Sequence, residues 1–429
     1  MSDSAFTRRN WLAAAATAGA ATGLPSSLAS IGLTAEPDGK SPETGAQAAP
    51  QWKDAAPIEL DGLRVTLSEP VLVKRSRWFC WFPSLIRQPD GILWAVMSAY
   101  ADIHVSDSFC YLSRSRDGGL TWDEPRVIGD AGLSHLILAD GSAVVIPYYL
   151  RPRPGGAIGA PSNVISPQGE LTMRPSGANV TGWPRAPKSM GPDLATTGFL
   201  FNGQVIRGNQ GEYLTTLYGH FEGDARYSLV FAESADGFAW RIRSIVAGAD
   251  CDLQGVEGPC ESAICRLADG RLTCIFRLAS FVPYGQTFSD DDGKTWTKPI
   301  NIPPGSVEPS LMVMADGTVA LSGGRSGIFV WLSADGHTAP WQAIDVVAHH
   351  NAARPQDAIN PDSTKAGMSR DEMIRQGLGG FSSCYTELMR LDDNHLLLIY
   401  DRLGLGWHAI PDASNETNSV WVVRLTLDK

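Results

Sequence analysis

The sequence predicts an all-β fold, a six-bladed β-propeller with tight turns and a few long loop insertions. Three observations carry this. A short apolar hairpin recurs six times, a Ser-x-Asp-x-Gly-x-Thr-Trp turn recurs between the hairpins, and the 429 residues include 44 Gly and 13 Trp. Such a composition belongs to many short strands joined by sharp reversals.

In chain order, the first element is Thr7-Arg8-Arg9-Asn10-Trp11-Leu12, paired arginines ahead of an Ala-rich stretch from Ala13 to Thr22. That stretch is too short to span a bilayer as a stable helix. Ser27-Leu28-Ala29 offers small residues for cleavage, so residues 1–29 are expected to be a twin-arginine signal peptide. Residues 30–56, rich in Pro, Gly, Ala and Ser, are expected to be a flexible linker, and 57–429 the propeller. No later stretch holds 18 continuous apolar residues. The expectation is a mature protein without a membrane span, periplasmic or extracellular. A formal charge of −11 argues against nucleic acid as the main partner. An acidic sugar stays compatible, because local arginines can oppose the global sign.

The hairpins begin at Pro83, His135, Gly203, Glu261, Pro309 and Thr386, with turns near positions 90, 140, 210, 269, 316 and 393. Each turn is Asp-Gly or polar, which supplies the positive φ a tight reversal needs. The flanking runs are almost continuously apolar, as in strands covered on both faces. A period of roughly 45–75 residues suits four-stranded blades and is too long for helical solenoids.

Between the hairpins, Ser115-Arg-Asp117-Gly-Gly119-Leu-Thr121-Trp122 and Ser289-Asp-Asp291-Asp-Gly293-Lys-Thr295-Trp296 share one pattern. Degenerate copies run from Ser234 through Asp236 to Trp240 and from Ser333 through Asp335 to Trp341. These turns resemble the Asp-box of the sialidase-like propellers, and the chain from about residue 60 to 429 resembles that class. The box acts structurally, since Asp accepts backbone N–H groups across the turn, Gly takes the positive φ, and Trp packs between blades. No catalytic role is assigned to it.

Two insertions interrupt the pattern. Residues 151–195, rich in Pro and Gly, are expected to form a long loop. Residues 345–380 contain Ser369-Arg-Asp-Glu372, a capping box opening a short helix through about Gln376. Seven Cys in an exported chain permit disulfides, with Cys251–Cys260 and Cys265–Cys274 as candidate pairs; buried free thiols are the alternative. No Cys-x-x-Cys or Cys/His cluster appears, and no metal or cofactor is expected.

In a propeller the innermost strands line the axis, so residues at their starts, or where the next strands end, gather at one mouth. Those positions hold Trp81, Phe82, Tyr148, Asn202, Tyr218, His220, Glu261, Arg277, Glu308, Arg325, Tyr385, Tyr400, Asp401 and Arg402. Aromatic rings stack on sugar faces and Arg binds carboxylates, so the set suits a glycan. The resemblance to sialidases sharpens this. In that family a Glu opening one hairpin activates a Tyr nucleophile, and an Arg closing the same hairpin joins two others to clamp the substrate carboxylate. Glu261 and Arg277 stand as that Glu and second Arg, Arg325 after Ser322-Gly323-Gly324 matches the third, and Tyr385 resembles the nucleophile. The family's opening Arg-Ile-Pro is replaced by Trp81-Phe82-Pro83, so Trp81 stands where the first Arg belongs and is expected to stack on the sugar. Asp102 and Asp107 lie where the acid/base Asp belongs, and Glu308 and Arg402 are further candidate substrate contacts.

The resemblance thus implies an exo-acting glycoside hydrolase working through Tyr385 and Glu261 on an acidic sugar, with a uronic acid or an uncharged sugar as alternatives to sialic acid. Two other functions stay open. Leu217-Tyr218-Gly219-His220 places a His/Tyr pair at a hairpin end, as a β-eliminating polysaccharide lyase would need. Loss of the first Arg also suits a glycan-binding propeller without turnover.

Overall fold

The structure, a computed structural model, describes residues 51–100, 109–129, 131–189, 198–305, 307–325, 327–359, 381–404, 406 and 414–428. The expected signal peptide and residues 30–50 of the expected linker lie outside these residues. Among the described residues the regular structure is almost all strand, and the one α-helix is Val346–Ala353. No described helix is long and apolar enough to cross a membrane.

All six expected hairpins form. Gly91, Gly141, Gly211, Gly270 and Gly317 take φ between 85° and 90° at their turns. At four of them the turn Asp also accepts the backbone N–H two residues on, as Asp140 does from Ser142 at 2.9 Å. The inner pairs are buried without alternation; Leu93–Ser98, Leu272–Phe276 and Val319–Gly323 have no exposed residue. A strand covered on both faces requires this.

The strands assemble into five hydrogen-bonded sheets. Three are four-stranded antiparallel meanders, spanning 81–129, 262–301 and 310–345. A ten-stranded sheet holds two further meanders, joined where Leu171–Thr181 pairs in parallel with Ala239–Ala247. In the last sheet the C-terminal strand Asn418–Asp428 lies between His395–Leu403 and the N-terminal strands Leu63–Leu67 and Val71–Ser76. Arg64 faces Asp428 and Leu67 faces Leu425, so the start of the folded chain covers an edge that would otherwise be bare. Residues 53–55, expected in the linker, belong here too: Ala55 N–H donates to Leu67 O at 2.8 Å, and Asp54 pairs with Arg424 at 3.0 Å.

The first strands of the meanders meet at the centre. Leu85, His135, Gln204, Met312 and Glu387, from five hairpins, line one cavity. Apolar clusters fill the space between neighbouring sheets, as where Leu85, Leu93 and Met97 pack on Met389, Leu397 and Ile399.

The Ser-x-Asp turns are closed by their own side chains. Asp291 accepts Lys294 N–H (3.0 Å), Thr295 N–H (2.9 Å) and the Thr295 hydroxyl (2.7 Å), while Ser289 Oγ accepts Gly293 N–H at 2.8 Å. Asp117, Asp236 and Asp335 make corresponding bonds. Burial alone would raise the Asp291 carboxyl, but these donors bring it down to about 2.

Two further expectations change. The stretch 151–189, the described part of the long loop expected over 151–195, is not simply a loop, because Ile158–Ile165 and Leu171–Thr181 are long paired strands completing a meander. The register shifts between Ala160 and Ser162, where Pro161 has no N–H to give; such a bulge is one of the few places a sheet tolerates Pro. The second insertion opens on a helix not expected from the sequence, Val346–Ala353, capped by Asp345, whose side chain accepts Ala348 N–H at 2.9 Å; the helix expected from Ser369 to about Gln376 lies outside the described residues. All seven cysteines are free thiols. Cys265 stands opposite Thr273 and Cys274 opposite Ile264, one row apart, so the two side chains leave opposite faces of the sheet.

Candidate active site

Glu261 and Arg277 continue the hairpin ladder past the ends of their strands: Arg277 N–H donates to Glu261 O at 2.9 Å, and Cys260 N–H to Arg277 O at 3.0 Å. Cross-strand pairing therefore sets their side chains together. Arg277 Nη1 donates to Glu261 Oε1 at 2.7 Å, with both side chains about nine-tenths buried or more. Two other hairpins reach the same carboxylate. The Tyr385 hydroxyl donates to Oε1 and Glu308 N–H to Oε2 at 3.1 Å. Burial would push Glu261 up, but the Arg277 charge and these donors hold it below the ordinary carboxylate range. Glu261 is an anion.

Its neighbours go the other way. Burial and then the Glu261 charge push the Glu308 carboxyl well above its usual range, and Asn202 Nδ2 donates to it at 3.2 Å. Burial and the same charge raise the Tyr385 phenol well above 10, opposed by Arg277. The site thus holds an ionised carboxylate bonded directly to a phenol, and a second carboxyl, that of Glu308, which burial favours in its neutral form and which bonds to Asn202.

Arg277 is shared further. Its Nη2 donates to Glu257 Oε1 at 2.8 Å and to Ser280 Oγ at 3.2 Å. Arg325 Nη1 reaches the same Ser280 Oγ at 3.0 Å, and its Nη2 reaches Ser383 O at 3.2 Å. One hydroxyl therefore links both arginines, as a two-armed clamp would require.

An aromatic cleft opens beside Tyr385, lined by Phe82, Tyr100, Leu133, Tyr148 and Tyr149. The Phe82 ring meets Tyr385 edge-on at 4.7 Å. Three residues that open inner strands here, Phe82 (φ 46°), Glu308 (φ 32°) and Cys384 (φ 63°), have left-handed backbones although none is Gly. Such conformations persist only where the surroundings over-determine them, and they cluster at working sites.

The other candidates fall elsewhere. Trp81 has no free ring face: it is 1% exposed, its indole N–H donates to Tyr100 O at 2.8 Å, and Phe79 and Phe82 stack on it. Phe82 takes the cleft position expected of Trp81. Arg402 turns away from the mouth, its Nη1 donating to Thr417 O at 2.8 Å and its Nε to Ala358 O at 3.3 Å. Neighbours on a strand face opposite ways, so Asp401 points to the mouth instead. Tyr400 is buried against His350 Nδ1 at 2.9 Å. The Tyr218 hydroxyl bonds that of Tyr148, and both Tyr218 (5.2 Å) and His220 (4.3 Å) pack on the Tyr227 ring. The His/Tyr pair therefore lies behind the cleft, and burial, then Lys188, lowers His220 below its usual range. Asp102 and Asp107 lie outside the described residues. Glu257, Ser280, Ser382 and Ser383 were not among the sequence candidates, because loop residues carry no periodic signal. Among the described residues no cluster of three His, Cys, Asp or Glu could hold a metal.

No protein-family model and no curated protein matches the chain. Solved structures do. A protein of unknown function from Dyadobacter fermentans matches at TM-score 0.60 and 19% identity, over 85% of this chain and 99% of that one. An α-L-arabinofuranosidase from Fusarium graminearum matches at TM-score 0.54 and 13% identity, over 83% and 97%. The Hadza microbial sialidase Hz136 matches at TM-score 0.51 and 14% identity, over 82% and 66%. At these identities the likeness concerns architecture alone, and the chain shares the sialidase-like β-propeller fold.

Proposed function

We propose that the chain is an exported glycoside hydrolase, a six-bladed propeller of the sialidase-like superfamily that releases a terminal sugar with Tyr385 as nucleophile and Glu261 as its base. One observation carries this reading: three hairpins deliver Tyr385, Arg277 and the Glu308 N–H to the two oxygens of one buried carboxylate. The fold relatives named as a sialidase and an arabinofuranosidase support it, since both names denote hydrolysis of a glycosidic bond. The twin-arginine segment supports export.

A phenol raised well above 10 cannot ionise ahead of reaction. Its proton passes to Glu261 as the oxygen bonds to the anomeric carbon, and the Arg277 charge opposes the charge that develops. The bond to the leaving oxygen breaks as Asp102 or Asp107 protonates it. Water then attacks the glycosyl–tyrosine bond, that Asp takes the water's proton, and Glu261 returns its proton to the phenol. Arg277 and Arg325 hold the sugar's acidic group, and Phe82, Tyr100 and Tyr149 give it apolar walls.

Screening the mature protein against sialyl, uronyl and neutral glycans, with mass and absorbance readout, tests the reading. A hydrolase adds water to its product and loses nearly all rate on Tyr385→Phe. A product absorbing in the near ultraviolet and dependent on His220 would mean a lyase. Ligand retention without any product, unchanged in Tyr385→Phe, would mean a binding protein. The packing of Tyr218 and His220 on Tyr227 favours the hydrolase over the lyase.

A further inference from the structure

We propose that Asp401 is a positioning residue that fixes the loop carrying Tyr385 against Glu261, an inference that rests on Tyr385 as nucleophile. Asp401 is fully buried at the end of His395–Leu403. Its carboxylate is filled from two segments. Ser382 Oγ (2.9 Å) and Ser383 N–H (2.7 Å) donate to Oδ1, while the Ser383 hydroxyl and Phe82 N–H (3.2 Å) donate to Oδ2. The two serine hydroxyls in turn accept Cys384 N–H (2.9 Å) and Tyr385 N–H (3.2 Å). One carboxylate therefore governs, directly or through a hydroxyl, every residue from Ser382 to Tyr385.

The geometry it holds is costly. Phe82 and Cys384 both sit in the left-handed region, and the Phe82 ring braces Tyr385. Phe82 N–H and the loop before Tyr385 come from opposite ends of the folded chain, so no local interaction joins them. Asp401 ties the brace and the nucleophile to one point.

Burial pushes the Asp401 carboxyl up to about 6, although its four donors favour the anion. The titratable group facing it from the segment before Trp81 is Cys80, whose thiol is pushed up to about 12 and stays neutral, with Lys74 beyond. The Ser382–Tyr385 loop carries the Cys384 thiol and the Tyr385 phenol, the latter neutral and turned to Glu261. Arg402, next on its own strand, points away. Asp401 is the group of this set that changes charge between neutral and mildly acid pH. Its ionised form accepts all four donors, whereas its protonated form must give up one.

The test compares full-chain wild type, Asp401→Asn, Ser383→Ala and Tyr385→Phe, measuring kcat, KM, pH profile and thermal unfolding on the best substrate of the screen. Asparagine keeps the shape but turns an N–H₂ towards Phe82 N–H and the Ser383 hydroxyl. Asp401→Asn should lose kcat by about 100-fold with KM within about threefold and an undiminished melting temperature, because small misplacements of a nucleophile cost rate before binding. Wild-type kcat should fall as pH drops through about 6, and this limb should vanish in Asp401→Asn. Ser383→Ala, a milder change, should lose roughly tenfold and keep the limb. Unchanged kcat in Asp401→Asn, or joint loss of kcat and melting temperature with the acid limb intact, would overturn the proposal. A fully active Tyr385→Phe would instead overturn the nucleophile assignment beneath it.

Discussion

Tyr385 and Glu261, 124 residues apart in the chain, share a hydrogen bond in which the phenol donates to Oε1, the same oxygen that takes Arg277 Nη1. The pairing sets phenol, carboxylate and guanidinium in direct exchange. Removing Tyr385 takes away the nucleophile, and removing Arg277 leaves the Glu261 charge without its cation.

Glu261→Gln is therefore expected to reduce kcat as severely as Tyr385→Phe, by about 10³-fold or more, since a base and the nucleophile it serves act as a unit. The double variant should be hardly slower than either single one. Steady-state kinetics of the three variants on one substrate checks this. Additive losses would separate the two residues.

Arg277 should matter for folding as well as for rate. Its guanidinium neutralises a Glu261 carboxylate that is only 4% exposed. Arg277→Met strands that charge, and losing one partner of a buried pair costs about 3–5 kcal/mol. Adding Glu261→Gln should recover much of that stability without recovering activity. Denaturant unfolding of the single and double variants measures the difference.

The hairpins, their turns and the Ser-x-Asp reversals were legible because each is local: a turn Asp, a Gly of positive φ and two apolar runs suffice. The strands Ile158–Ile165 and Leu171–Thr181 were hidden by the Pro and Gly around them, Pro161 at the bulge among them. At the site, pattern brought Glu261, Arg277, Arg325 and Tyr385 together but misjudged which of two neighbours faces the mouth. The Trp81–Ser98 pairing slips before Ser84, so the irregular step at Phe82 and Pro83 turns Trp81 inward and Phe82 outward. Asp401 and Arg402 were likewise separable only by the register of their strand with Asn418–Asp428. Side-chain direction at the rim depends on non-local pairing.

The Asp turns should prove structural only. Asp291→Ala removes the acceptor for two backbone N–H groups and two hydroxyls, so stability should drop by about 1–3 kcal/mol with kcat and KM unchanged. Melting curves with parallel kinetics test it. A selective loss of rate would assign the turn a role in the site.

Asp401 also predicts a linkage signature. Its folded value of about 6 lies above the ordinary 3.8, so burying the anion costs stability above about pH 6, and protonation of the folded state relieves that cost as pH falls towards 4. Asparagine has no such titration. The stability of wild type relative to Asp401→Asn should therefore rise by about 2 kcal/mol between pH 7 and pH 4, whatever the offset at either end. Urea unfolding at several pH values gives the slope, and a flat difference would place the Asp401 carboxyl near its ordinary range.

Closure of the last sheet makes the final prediction. Val65 is fully buried, pairs with Leu427 and packs in the cluster holding Leu398, Tyr400 and Val423. Val65→Asp places an unpaired charge there and should cost about 3–5 kcal/mol, against under about 1.5 kcal/mol for Val65→Ile. Deleting residues 51–69 goes further. It strips Leu63–Leu67 from Asn418–Asp428 and leaves the Leu425–Asp428 ladder bare, next to the strand that carries Asp401. Exposed edges of this kind pair with other chains. The truncated protein should elute as oligomers and lose activity, while a truncation ending at residue 50 should remain monodisperse with full rate. Size-exclusion chromatography coupled to light scattering distinguishes the two. A monodisperse, active protein lacking residues 51–69 would show that the sheet closes without its N-terminal strand.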